Sequence, residues 1–270
     1  MFQIYNEDCL EGMQRLSDES IGLVLSDLPY GQMEYAADKA LDLERFWGEV
    51  WRLLSYGSSV LLFGAGRFTY ELIKSNEANY CYKWVWVKNR ATNFIHAHNR
   101  PLSNYEEILV FSRGKVIHAG KGGERMKYHP QGLKECRQKA NENHDLSKKK
   151  GSMLGVRPSD SKGYHYVQEY TGYPRDVLNF KMPHTAGRNH PNEKPVELLE
   201  YLIRTYSNEG EVVLDCTMGS GSTGVAALKS GRSFIGFETE EKYYKAAEVR
   251  LNESASVGKC DIRGEDISEG

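Results

Sequence analysis

The chain has 270 residues, 40% of them hydrophobic and 27% charged, and its 35 Lys and Arg against 37 Asp and Glu give a net charge of −2. At roughly 150 residues per domain this is one large domain or two small ones, and the composition excludes wholesale disorder and fibrous repeats. No apolar run reaches the roughly 18 residues of a membrane span, the start MFQIYNEDCL lacks a leader pattern, and Cys9, Cys81, Cys136, Cys216 and Cys260 form neither a C-x-x-C knuckle nor a disulfide framework, so the expectation is a reduced, cytoplasmic enzyme without a membrane partner.

In chain order, Ile21 to Ser26 reads as a short buried strand that ends in a Pro-containing turn. Phe46 to Leu54 has apolar residues at helical spacing, Ser59 to Phe63 is a strand, Phe68 to Ser75 a short helix, and Tyr82 to Val87 and Glu107 to Phe111 are strands. After a break come a helix at Val196 to Tyr206, a strand at Val212 to Cys216, a helix at Thr223 to Ser230, a strand at Ser233 to Phe237 and a closing helix at Glu241 to Leu251. The polar tail from Asn252 is expected to fray. Alternating strands and helices predict an α/β domain, mostly parallel, with helices on both faces of the sheet.

The break has its own character. From Ser112 to Lys150 there are eleven Lys and Arg against four acidic residues, few aliphatic side chains and no sustained period. It reads as a basic insert, either a solvated loop or a surface for a polyanion. Strand-like alternation resumes in the Tyr-rich stretch after Gly163. The domain expectation is therefore 1–111 and 176–270 as halves of one domain, with 112–175 inserted between them.

Two turns carry chemistry. In VVLDCTMGSGSTG a strand runs into Asp215 and then a loop with Gly219, Gly221 and Gly224, followed by a helix and a second strand that ends at Glu238. Glycines let a ligand approach the backbone, the helix start offers free N–H groups, and an acid about 20 residues beyond the loop suits ribose hydroxyls. GSGSTG also fits a dinucleotide fingerprint, but Asp215 before the glycines would repel a pyrophosphate and welcome an α-amino group. The second turn, Ser26-Asp27-Leu28-Pro29-Tyr30-Gly31, closes the first strong strand, where open α/β sheets site their chemistry. It combines a carboxylate, a backbone carbonyl held by Pro29 and an aromatic ring, a set suited to a planar base bearing an amino group.

With both turns in view, most of the chain resembles the β-group DNA amino-methyltransferases, the permuted S-adenosylmethionine-dependent enzymes whose catalytic motif precedes the cofactor motif. DLPY resembles the family's D-P-P-Y, DCTMGSGST its D-P-F-x-G-S-G-T-T, FIGFE its second cofactor motif and HPNEKPVELLEYLI its H-P-T-x-K-P helix start. WVWVKNRATNF and RPLSNYEEILVFSRGK also look like the core of members from phages and bacteria. Leu28 stands where the family has its first Pro, and Cys216 and Thr217 replace its Pro-Phe.

The resemblance implies a single Rossmann-like (class I) methyltransferase domain in which the insert serves target recognition. The implied reaction (EC class 2.1.1) carries a methyl group from S-adenosylmethionine to the exocyclic amino group of adenine in double-stranded DNA, releasing S-adenosylhomocysteine and requiring no metal. The target base is flipped out of the duplex. Asp27, Leu28, Pro29 and Tyr30 are the implied catalytic set: Asp27 and the Leu28 carbonyl hold the amino hydrogens and Tyr30 stacks on the base. Asp8, Cys9, Lys194, Asp215, Gly219, Gly221 and Glu238 are implied for the cofactor, with Lys194 on the methionine carboxylate. Asn89, Arg90, Asn93 and Phe94 are candidates for the base pocket, and Lys121, Arg125 and Lys127 for DNA contact. Each has a plainer reading: Asp8 as a helix cap, Cys9 and Cys216 as small core residues, Lys194 as a surface charge. The pairs His96/His98 and His184/His190 lack a ligand motif with Cys, so hydrogen-bonding roles are favoured over metal.

Three alternatives stay open: methylation of cytosine at its amino group, an NAD-dependent oxidoreductase built on GSGSTG, and a DNA-binding module without catalysis. A cognate restriction endonuclease and a homodimer are open as partners.

Overall fold

The computed structural model describes residues 1–30, 41–116, 125–139, 167–183 and 193–260. These fall into two compact units, Met1–His129 with Asp176–Gly270, and Pro130–Arg175.

In the first unit the strands are β1 (Phe2–Tyr5), β2 (Ile21–Ser26), β3 (Leu54–Gly64), β4 (Tyr80–Thr92), β5 (Ser103–Ser112), β8 (Val177–Asn179), β9 (Val212–Asp215) and β10 (Ser233–Phe237). They form one sheet in the order β1-β10-β9-β2-β3-β5-β4-β8. β5 pairs antiparallel with β3 and β4, and every other pairing is parallel. The mostly parallel expectation therefore holds, with one reversed strand.

Two-residue periodicity divides the strand side chains between two apolar layers. Leu23, Leu25, Leu61, Phe63, Ile108, Val110 and Val213 pack with helices α4 (Val196–Tyr206), α5 (Ser222–Lys229) and α6 (Glu241–Cys260). Val24, Val60, Leu62, Leu109, Phe111 and Leu214 pack on the other face with α1 (Cys9–Gly12), α2 (Leu43–Leu53) and α3 (Arg67–Ser75). Because both faces are covered, β2 is buried along its whole length, which is why IGLVLS is apolar without alternation. Helix α2 shows the local logic. Asp42 caps it by accepting from Glu44 N and Arg45 N at 3.1 Å, and Phe46, Trp47, Val50 and Leu53 bury one stripe.

α6 runs on to Cys260, so the helix end expected at Leu251 is corrected: the helical backbone continues for more than two turns past that point, and residues 261–270 of the polar tail lie outside the described residues.

In the second unit, β6 (Lys134–Lys139) and β7 (Val167–Thr171) form an antiparallel pair with a register shift between Glu135 and Gln138. Gly132 and Gly172 flank this pair, both at φ 80°, and a Cβ on Gly172 would lie 2.7 Å from the Gly132 carbonyl oxygen. The unit starts at Pro130; Ser112–Val116 and Arg125–His129, which the sequence assigned to the insert, belong to the first unit.

Candidate active site

Strand order fixes where a ligand can lie. After β2 the chain crosses to β3, after β9 it crosses the opposite way to β10, and β2 and β9 are neighbours, so the connections diverge between them. Such a switch point opens a crevice at the carboxyl ends of the strands. Four acids follow the carboxyl ends of four adjacent parallel strands: Asp8 after β1, Glu238 after β10, Asp215 closing β9 and Asp27 after β2. At about 4.8 Å per strand the row is roughly 14 Å long, the span of a nucleoside joined to an amino acid.

Side-chain and backbone bonds hold the two turns together. Ser26 Oγ donates to Asp215 Oδ1 at 2.9 Å and accepts from Cys216 N at 2.8 Å, and Thr217 Oγ1 donates to the Asp27 carbonyl oxygen at 3.0 Å. Thr217 N also donates to Asp215 Oδ1 at 3.1 Å. Burial pushes the Asp215 carboxyl up to about 6 even though Thr223, Thr217 and Ser26 all favour its charged form. An ammonium placed beside it would relieve that strain, so the site fits a cationic amine.

The glycine loop is shaped for close approach. Gly219 and Gly221 have φ of 53° and 77°, values that favour glycine. A Cβ on Gly221 would come within 3.1 Å of the Ala247 Cβ. Glu238 receives Gly219 N at 3.0 Å on one oxygen and Glu240 N at 2.8 Å on the other, which leaves a lone pair on each for a hydroxyl. Burial raises its pKa against those amide donors.

Asp8 caps α1 by accepting from Leu10 N at 2.8 Å, the plainer of its two readings, while staying exposed at the strand end. Cys9 and Cys216 are buried, and Cys216 is pushed well up by its hydrogen bond with Cys9 and by burial. Tyr30 packs on Phe68 with ring centroids 4.5 Å apart, and its hydroxyl reaches Asp27 Oδ1 at 3.3 Å. Leu28 is buried.

Lys194, just ahead of α4, has partners that sequence reasoning did not anticipate. Its ammonium lies 2.7 Å from Asp27 Oδ2, 3.0 Å from Glu106 Oε2 and 4.8 Å from the Phe63 ring centre. The other Glu106 oxygen accepts from Lys88 Nζ. Burial opposes the charge of Lys194, but Asp27 and Glu106 outweigh it and hold its pKa above the ordinary lysine value. Burial likewise opposes ionisation of Glu106, and Lys194 and Lys88 bring it below the usual carboxylate value.

The remaining candidates are dispersed. Asn89 Oδ1 accepts from Met182 N at 2.9 Å and Arg90 Nη2 donates to the Pro183 carbonyl at 3.1 Å, tying β4 to the segment after β8. Asn93 is left-handed (φ 67°) and Phe94 is exposed at the turn between β4 and β5. Lys127 is ion-paired with Glu211 at 2.6 Å and bonded to Ser58 Oγ at 3.1 Å, so its charge serves the fold. Arg125 is exposed, and Lys121, His184 and His190 lie outside the described residues. Among the described residues no three His, Cys, Asp or Glu side chains are grouped to hold a metal, and no helix is long and apolar enough to cross a membrane.

The family model N6_N4_Mtase, described as DNA methylase, matches residues 21–249. The chain belongs to this family of DNA N6/N4 amino-methyltransferases. Among curated relatives, the type II methyltransferase M2.LlaDCHI of Lactococcus lactis subsp. cremoris is 37% identical over 118 residues, 40% of this chain and 44% of its own. The putative methylase YubD of Escherichia coli (strain K12) is 49% identical over 76 residues, 28% of this chain and 33% of its own. The chain thus matches less than half the length of these two relatives. The type II methyltransferase M.HpaI of Haemophilus parainfluenzae is 23% identical over 262 residues, 91% of this chain and 72% of its own. Two solved structures share the class I methyltransferase fold. The M1.HpyAVI–SAM complex has TM-score 0.59 and 23% identity, covering 93% of this chain and all of that one. The PvuII cytosine-N4-specific DNA methyltransferase has TM-score 0.62 and 17% identity, covering 98% and 93%. As a family member the chain gives no support to the oxidoreductase reading of GSGSTG.

Proposed function

We propose that this protein methylates the exocyclic amino group of adenine in double-stranded DNA, using S-adenosylmethionine. The observation that carries the reading is the bonding of Ser26 and Asp27 to Asp215, Cys216 and Thr217, which sets a base-binding turn beside a cofactor turn. The sulfonium donor supplies an electrophilic methyl group and leaves as S-adenosylhomocysteine.

The chain's own residues do the rest by positioning. Asp215 pairs with the methionine ammonium, Gly219 and Gly221 let the ligand lie on the backbone, and Glu238 accepts the ribose hydroxyls. Asp8 and Cys9 border the adenine of the cofactor. The amino nitrogen of a nucleobase is a poor nucleophile because its lone pair is delocalised into the ring. Asp27 and the Leu28 carbonyl accept its two hydrogens and favour a tetrahedral nitrogen aimed at the methyl carbon. As the C–N bond forms and the S–C bond breaks, the nitrogen loses one proton, and Asp27 is the acceptor nearest to it. Tyr30 covers the flipped base. Arg125, Lys121 and the unit at Pro130–Arg175 are assigned to DNA contact.

The carboxylate at position 27 favours adenine. The second reading is cytosine N4, the base named for the PvuII enzyme that shares the fold. Incubation with labelled S-adenosylmethionine and unmethylated DNA, followed by digestion to nucleosides, decides between them. N6-methyladenine is expected; label in N4-methylcytosine would replace the base assignment, and DNA without label would refute the reading.

A further inference from the structure

Building on the methyltransferase reading, we propose that Glu106 is a positioning residue for the reaction: it holds the Lys194 ammonium against Asp27 Oδ2 and so fixes the plane of the carboxylate that receives the amino group. Asp27 sits at a strand end with two side-chain torsions that its own backbone does not restrain. Thr217 fixes its carbonyl, Tyr30 reaches Oδ1, and Lys194 takes Oδ2 at 2.7 Å. Lys194 has a long flexible stem and needs an anchor of its own. Glu106 supplies it from β5, two strands from β2 in the sheet, with the Phe63 ring between them beneath the ammonium. Lys88 on β4 holds Glu106 in turn and lies 5.4 Å from the Trp86 ring centre.

Two ammonium groups, Lys194 and Lys88, face two carboxylates, Asp27 and Glu106, and this balance would be met as well if Glu106 paired with Lys88 alone. Glu106 is largely buried and reaches both ammonium groups, with its Oε2 3.0 Å from Lys194 Nζ. Buried ion pairs contribute little net stability, since desolvating each ion offsets the attraction. A four-member chain Lys88–Glu106–Lys194–Asp27 that ends on the reacting carboxylate is explained by the geometry it imposes. It also engages Lys194 with two protein carboxylates, which moves this lysine from the methionine carboxylate to the acceptor side of the reaction.

The test uses the full chain, unmethylated phage DNA for turnover and S-adenosylhomocysteine for binding by calorimetry. E106Q is expected to lower kcat about 10- to 100-fold, the effect of misplacing a reacting group by a fraction of an ångström to one ångström. Its affinity for S-adenosylhomocysteine should stay within about twofold, and E106D should recover part of the loss. Because Glu106 acts through Lys194, E106Q/K194M should be no slower than K194M alone. Wild-type kcat in E106Q, equal losses of kcat and affinity, or multiplying losses in the double variant would overturn the proposal. If E106Q does not fold, E106D carries the same comparison: a lowered kcat with affinity kept supports it, and an unchanged kcat overturns it. Wild-type protein that transfers no methyl group refutes the function itself, an outcome distinct from all of these.

Discussion

Ser26→Ala isolates the bonding between the two turns. The hydroxyl is buried, donates to the Asp215 carboxylate at 2.9 Å and accepts the Cys216 amide at 2.8 Å. Its removal strands a buried N–H at a cost of about 1–3 kcal/mol and deletes a charge-assisted bond worth about 1.5–3 kcal/mol. The two effects share one site and overlap, so the expected loss is about 2–4 kcal/mol. Loss of the donor also raises the Asp215 carboxyl further above its position of about 6. A carboxyl whose folded pKa exceeds its unfolded one contributes most to stability at low pH and loses that contribution as pH rises through the folded value. The variant's deficit should therefore be larger at pH 8 than at pH 5. Urea unfolding of both proteins at the two pH values measures it. A deficit below about 0.5 kcal/mol at pH 8, or one that shrinks with rising pH, would show that the hydroxyl does not hold these turns.

Three further outcomes are expected. Asp27→Ala should lower methyl transfer at least about 100-fold while leaving S-adenosylhomocysteine affinity within about threefold, measured by filter assay and calorimetry. Asp215→Asn should gain on the wild type in thermal stability as pH rises from 4 to 7, by up to about 3 kcal/mol from the shift of 3.8 to about 6, while losing cofactor affinity. Tyr206→Phe should cost about 1–3 kcal/mol in denaturant unfolding, because the buried Trp84 Nε1 donates to the Tyr206 hydroxyl at 2.5 Å and loses its acceptor.

Elements buried on both faces or with a strong stripe were legible: β2, α4 and β10 have the bounds that their apolar patterns predict. β4 and β5 extend beyond their apolar centres, because their polar ends are held by backbone pairing such as Thr92 with Ser103. β1 and β8 have only four and three residues, too few for periodicity to register, although β1 leads Asp8 to the same end of the sheet as Glu238. The nearness of Asp27 to Asp215 followed from each closing a strand in one parallel sheet. The partners of Lys194 did not, since Asp27 after β2 and Glu106 on β5 meet the residue ahead of α4 only through the strand order β2-β3-β5, which no local pattern encodes. Lys127 read as part of a basic surface because Glu211, which neutralises it, is distant in the chain.

A crystal structure of the protein with S-adenosylhomocysteine tests the central claim most directly. The ligand should lie across the carboxyl ends of β1, β10, β9 and β2, with its hydroxyls on Glu238, its ammonium on Asp215 and its sulfur facing the Asp27 turn. A ligand bound away from the switch point, or one whose sulfur points away from Asp27, would contradict the account.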